Sequence, residues 1–139
     1  MRKLRPAAAG AAAALLWAAL EPLDKRLFAH DYSDVALLGK WVTRSRAWPV
    51  AGLALHAANG AVFGVALQTV RRYRDVSGTT LALAEHVALF PLGYVVDRTH
   101  PGRGEPGVAR LFSWRAFGQA TVRHAIFGAT LDALREKRA

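Results

Sequence analysis

Five ionisable side chains, His56, Glu85, His86, Arg123 and His124, each fall near the middle of a helix-length stretch in which charges are few. Inside hydrocarbon an unpaired charge is costly, so such groups must face one another or a wet cavity. The sequence therefore predicts a polar cluster at mid-membrane depth, with Glu85 and Arg123 as its ion pair. Histidines in such a cluster can hydrogen-bond, relay protons, or ligate a metal or haem. The spacing argues for the first of these. No His-x-x-x-His pair occupies adjacent turns, and Glu85 and His86 are neighbours that point about 100° apart on a helix. The chain has no cysteine, which removes thiolate nucleophiles and thiolate metal sites. No nucleophile triad, phosphate loop or paired-carboxylate motif emerges. No catalytic residue, metal site or cofactor is therefore assigned, and the cluster reads first as a satisfied structural network. His30 with Asp31, and Asp97 with His100, fall in expected loops and read as surface polarity.

The elements that must position this cluster follow from where charges are absent. The chain has 139 residues, 53% of them hydrophobic, a net charge of +9 and a mean hydropathy of only +0.13. So apolar a composition excludes a disordered chain, and the length suits one domain. Residues 47–70 contain no Asp, Glu, Lys or Arg. About 20 helical residues cross a ~30 Å hydrocarbon core, so residues 48–70 form the clearest span. Trp48 anchors one end and Arg71, Arg72, Tyr73 and Arg74 the other. Residues 76–96 form another span, with Glu85 at its centre and Pro91 as a kink point. The short link between these two predicts an antiparallel helical hairpin.

Residues 6–27 form an Ala-rich first span, with Glu21, Asp24 and Lys25 near the interface. A cleaved signal peptide is the alternative, although no small-x-small cleavage site is well placed. Residues 112–135 are amphipathic, with Arg115, Gln119 and Arg123 on one stripe and Phe117, Ala120, His124, Phe127 and Leu131 opposite. That pattern suits a fourth span with its polar stripe inward, or a basic helix lying on the membrane. Residues 28–46 hold a short interfacial helix capped by Ser33 or Asp34. Leu37, Leu38, Trp41 and Val42 form its apolar side, and Lys40 and Arg44 face away. The Pro- and Gly-rich stretch 97–110 reads as an irregular extramembrane loop. The expected fold is all-α: one membrane domain over residues 1–139, a four-helix bundle with an interfacial helix after the first span.

The basic residues bracket apolar stretches instead of forming one patch, and no nucleic-acid reader motif is present. Nucleic acid is excluded as a partner. The lipid bilayer and its anionic headgroups account for the charge, at ~1 kcal/mol per basic residue near the surface. With four spans, Arg2, Lys3, Arg5, Arg71, Arg72, Arg74, Arg135, Lys137 and Arg138 share one side, close to span ends. The positive-inside rule then places both termini in the cytoplasm.

Gly52, His56, Gly60 and Gly64 recur at four-residue intervals on one face, and Gly60-x-x-x-Gly64 lets a neighbouring helix approach closely. The motifs His56-x-x-x-Gly60-x-x-x-Gly64, His86-x-x-x-x-Pro91 and His124-x-x-x-Gly128 resemble the YagU-like family of small bacterial inner-membrane proteins, over roughly residues 48–132. The resemblance implies a multi-pass inner-membrane protein without established enzymatic activity and with a connection to stress or acid tolerance. It makes His56, His86 and His124 the matching positions. The resulting expectation is a structural or accessory membrane protein that stabilises a partner complex. Proton or small-solute handling by the mid-membrane cluster is the alternative, and a haem- or metal-binding redox protein the third.

Overall fold

Prolines and serines set where the helices begin. The structure, a computed structural model, describes residues 4–134. Arg2, Lys3, Arg135, Lys137 and Arg138, expected on the cytoplasmic side, lie outside the described residues. Helix α1 (Pro6–Phe28) and helix α3 (Trp48–Val70) each start with proline in the first turn, where no backbone donor is lost. Helix α2 (Asp34–Val42) is capped by Ser33, whose Oγ accepts the Ala36 N–H at 3.1 Å. Ser77 caps α4 (Gly78–Leu89) in the same way through Thr80 N–H. Helix α5 (Leu92–Thr99) follows, and α6 (Trp114–Leu134) opens with Ser113 accepting from Ala116 N–H. Because Ser33 is buried, Ser33→Ala should cost about 1–2 kcal/mol, read as a lower melting temperature in detergent.

The described residues are all-α, without strands. Two helices, α1 and α3, are long and apolar enough to cross a membrane, and α4 with α5 makes a third if the bent pair is one span. The bend is 57° and falls at Phe90–Pro91. Proline lacks an N–H and its ring clashes with the carbonyl four residues back, so the helix cannot run straight through.

Helices α1 and α6 pack together at the centre, α3 lies along the far side of α1, and α4 lies along α6. The expected α3–α4 hairpin does not form, despite the short link. Glycine contacts explain the choice. Gly60 and Gly64 of α3 meet the backbone of Gly10 and Pro6 in α1, whereas Gly78 at the start of α4 meets Gly128 in α6. Gly52 serves α2 instead, against Val35 and Gly39. All three glycines singled out for packing are thus used, toward two partners.

That same contact turns α2 over relative to expectation. Its small face, Ala36 and Gly39, is buried, together with Lys40, whereas Trp41 and Val42 are exposed. Large side chains do not fit where a Cβ at Gly39 would sit 2.9 Å from the Trp48 carbonyl carbon. Lys40 is satisfied inside: its Nζ donates to the Pro106 carbonyl at 2.8 Å, pairs with Glu105 at 3.2 Å and lies over the Trp48 ring.

At one end of the molecule the chain start, the α3–α4 link and the end of α6 are tied together. Leu4 N–H donates to the Leu134 carbonyl at 3.1 Å. Asp132 accepts from Arg71 Nη2 and from Gly78 N–H, both at 2.8 Å. At the other end α2 and the segments 29–33 and 100–113 form a cap.

Candidate functional site

Arg123 is the organising charge. It is 2% exposed, and its fork grips Asp24: Nε donates to Oδ2 and Nη2 to Oδ1, both at 2.6 Å. Nη1 donates to Asp34 Oδ2 at 2.9 Å and lies 3.8 Å from Glu21 Oε1. Nη2 also donates to the Tyr32 carbonyl, and the guanidinium lies over the Tyr32 ring. The carboxylates have further donors of their own. Gln119 Nε2 donates to Asp24 at 2.7 Å, Asp34 N–H to Glu21 at 2.9 Å, and the Tyr32 hydroxyl to Asp34. Burial, with the Asp34 carboxylate beside it, pushes the Tyr32 phenol well above its ordinary range, so it stays a donor. The predicted Glu85–Arg123 pair is therefore replaced by a Glu21–Asp24–Asp34 cradle. The reason lies in α6, whose buried face carries Gln119 and Arg123 toward the carboxyl end of α1. Glu21 and Asp24, interfacial acids by their sequence position, are buried. Their spacing on one face of α1, matching Gln119 and Arg123 on one face of α6, was the available signal.

The three histidines do come together, around a tryptophan that the cluster prediction did not include. His86 and His124 stack at 4.9 Å, Trp17 sits edge-on to His124 at 4.7 Å, and His56 follows at 5.3 Å from Trp17. Hydrogen bonding fixes two of these rings. Thr121 donates its hydroxyl proton to the Phe117 carbonyl, so its oxygen accepts from His86 Nε2–H at 2.9 Å. His124 Nδ1–H donates to the Ala120 carbonyl at 2.7 Å. Both protons are thus held by the fold. His56 Nε2 and Trp17 Nε1, by contrast, are buried with no hydrogen-bond partner among the described residues.

Glu85 is half-buried beside part of this row. Among the described residues it has neither a hydrogen bond nor an ion pair. It lines a cavity of about 230 Å³ together with His56, Asn59, Trp17, His124 and Phe127. Because α3 and α4 make no extended contact, this cavity is the cleft between them, floored by α1 and α6. No group of three or more His, Asp or Glu among the described residues has the arrangement of a metal site.

The four loop residues read as surface polarity hold the cap together. Asp97 lies in α5, not in a loop, and its carboxylate accepts from Leu111 and Phe112 N–H at 2.7 and 2.8 Å. His100 is buried: Nδ1 accepts from Gly102 N–H, so Nε2–H donates to the Leu37 carbonyl. His30 Nε2 bonds the Arg110 carbonyl. Asp31 accepts from Gly107 N–H and pairs with Lys25 at 2.9 Å. Loops tied to helices by buried backbone groups look polar in sequence because nothing local marks the partner.

The Gly107 N–H and the Lys25 ammonium hold Asp31 below its ordinary pKa of 3.8, and Arg44 and Lys40 hold Glu105 below 4.5. A depressed folded pKa gives stability above the unfolded value that is lost as pH falls through the folded one. The cap should therefore loosen below about pH 4, seen as faster amide exchange across residues 100–113 at pH 3 than at pH 6 after correction for intrinsic rates. In comparison with known proteins, no family model, no curated protein and no solved structure matches the chain.

Proposed function

We propose that the chain is a small multi-pass protein of the bacterial cytoplasmic membrane with a structural or accessory role in the bilayer. One observation carries the membrane reading: only 33% of the most apolar stretch of α1 and 28% of that of α3 is buried within the protein itself. Leu15, Leu16, Leu23, Val50, Val62 and Val65 stand exposed along these two helices. A contiguous apolar surface of this kind needs lipid or another membrane protein against it. We assign four spans, α1, α3, the bent α4–α5 pair and α6. The inward Arg123 network supports the last, because it removes the charge that would keep α6 at the surface. Both termini and the 71–77 link then lie in the cytoplasm, and the 100–113 cap outside. The resemblance to the YagU-like family is carried forward on the same footing, supported by the meeting of His56, His86 and His124 around Trp17.

Reporter fusions after Arg74, after Gly104 and at the C-terminus test the placement. Cytoplasmic signals at the first and last and a periplasmic signal at the middle one are expected. A cytoplasmic signal after Gly104 or a periplasmic one at the C-terminus would contradict it. The accessory role predicts a stoichiometric partner on purification from native membranes in mild detergent; recovery of the chain alone would remove it. A second reading, handling of a small solute, is favoured by the unpartnered Glu85 at the cleft.

A further inference from the structure

We propose that the cleft between α3 and α4 binds a lipophilic organic cation, with the Glu85 carboxylate as its counter-charge. The proposal deepens the small-solute reading above. The half-buried Glu85 lines the cleft and has no partner among the described residues, while the buried Glu21 and Asp24 and the half-buried Asp34, which also lines the cleft, are committed to Arg123 and its donors. No lysine or arginine lines the cleft, and with Asp34 held by Arg123 the carboxylate left without an internal cation is that of Glu85. Its remaining surface is largely apolar and aromatic, with Trp17, Phe63 and Phe127 among the lining rings. A carboxylate facing aromatic rings in a dry setting is the chemistry that recognises ammonium groups, through charge and cation–π attraction. An anion is disfavoured by Glu85, and a metal ion because Asp34 is committed to Arg123 and no three His, Asp or Glu among the described residues are placed to hold one. Asn59 and Leu89, which line the opening from α3 and α4, are exposed, so the cleft is reached from the side of the bundle. In a bilayer that side faces lipid. An amine or quaternary ammonium carrying an apolar group suits both the entrance and the interior, and about 230 Å³ admits a benzyl-sized ion.

The test uses the full chain in dodecylmaltoside with benzyltrimethylammonium as the probe. Titration calorimetry should give saturable binding, weakened at least tenfold in Glu85→Gln and largely kept in Glu85→Asp. The uncharged isostere neopentylbenzene should not displace the probe. A measurement on the unaltered protein guards against a misfolded variant. Dicyclohexylcarbodiimide attacks protonated carboxyls in apolar surroundings, and mass spectrometry locates the adduct. The bound cation should protect Glu85 from this labelling. Equal affinity for wild type and Glu85→Gln, displacement by neopentylbenzene, or undiminished labelling of Glu85 with probe present would each overturn the proposal. Binding in detergent is independent of orientation, so failure here leaves the fusion results standing, and failed topology leaves the cleft to be judged by this experiment.

Discussion

Replacing Arg123 by alanine is expected to destabilise the fold by about 3–5 kcal/mol, the range found when one partner of a buried ion pair is removed. The physical loss is larger than a set of hydrogen bonds. Asp24 and Asp34 would remain buried at 9% exposure and half-buried respectively, with Glu21 beside them and no cation among the three. Arg123→Lys keeps the charge but not the planar fork, and one ammonium cannot reproduce the paired Nε and Nη2 bonds to Asp24. An intermediate loss of about 1–2 kcal/mol is expected there, near the value of charge-assisted bonds. Reversible unfolding in mixed micelles reads both numbers. A double-mutant cycle with Asp24→Asn should show coupling of at least 1 kcal/mol, since the two side chains share bonds directly. An Arg123→Ala protein as stable as wild type would mean that the cradle is solvated and the inward placement of α6 is wrong.

The second large effect is expected at the α1–α3 crossing. A Cβ at Gly10 would land on the Gly60 carbonyl, 2.7 Å from its carbon and 3.1 Å from Gly64 N. These are backbone atoms, which cannot rotate away, so the helices themselves must separate. Gly10→Ala should therefore cost about 1–3 kcal/mol, as overpacked interiors do, and Gly10→Val should exceed that. The separation would also widen the space beneath Trp17, which belongs to the same core as Ala13 and Ala14. A blunt loss of near-ultraviolet circular dichroism alongside the lower melting point would report this. Gly104 is the contrast: nothing lies within 4 Å of a Cβ there, and only its φ of +76° resists substitution. Gly104→Ala should cost no more than about 1–2 kcal/mol.

Much of the secondary structure was legible because it rests on local rules. The charge-free run 47–70 became α3 at Trp48–Val70, Ser33 caps α2, and Pro91 breaks the next helix where its missing N–H requires. Pairing between helices was less legible. A short link suggested that α3 and α4 pack together, but small residues 50 positions apart in sequence, Gly10 and Gly60, decided the matter. Glycine spacing announces that a face can be approached without saying by what. The polar cluster shows the same division. That the mid-helix histidines meet follows from the cost of isolating them. That Arg123 turns to Glu21, Asp24 and Asp34 instead of Glu85 depends on helix rotation and depth, which a wheel drawn for one helix cannot supply. Lys40 misled for the reverse reason: its partners Pro106 and Glu105 lie in a loop that reads as irregular.

The Arg123–Asp24 contact joins residues 99 positions apart, the first helix to the last. Synthesis delivers α1 long before α6. Until then Glu21 and Asp24 wait without their cation, and on the proposed four-span arrangement α6 arrives bearing an arginine that lipid resists at ~2.5–3.5 kcal/mol. In that arrangement α1 and α6 are each poor membrane residents alone and good ones beside the other. The proposed arrangement has the final helix enter by docking on the first, so a truncated chain lacking α6 should be a substrate for quality-control proteolysis, and supplying α6 as a separate peptide should rescue it.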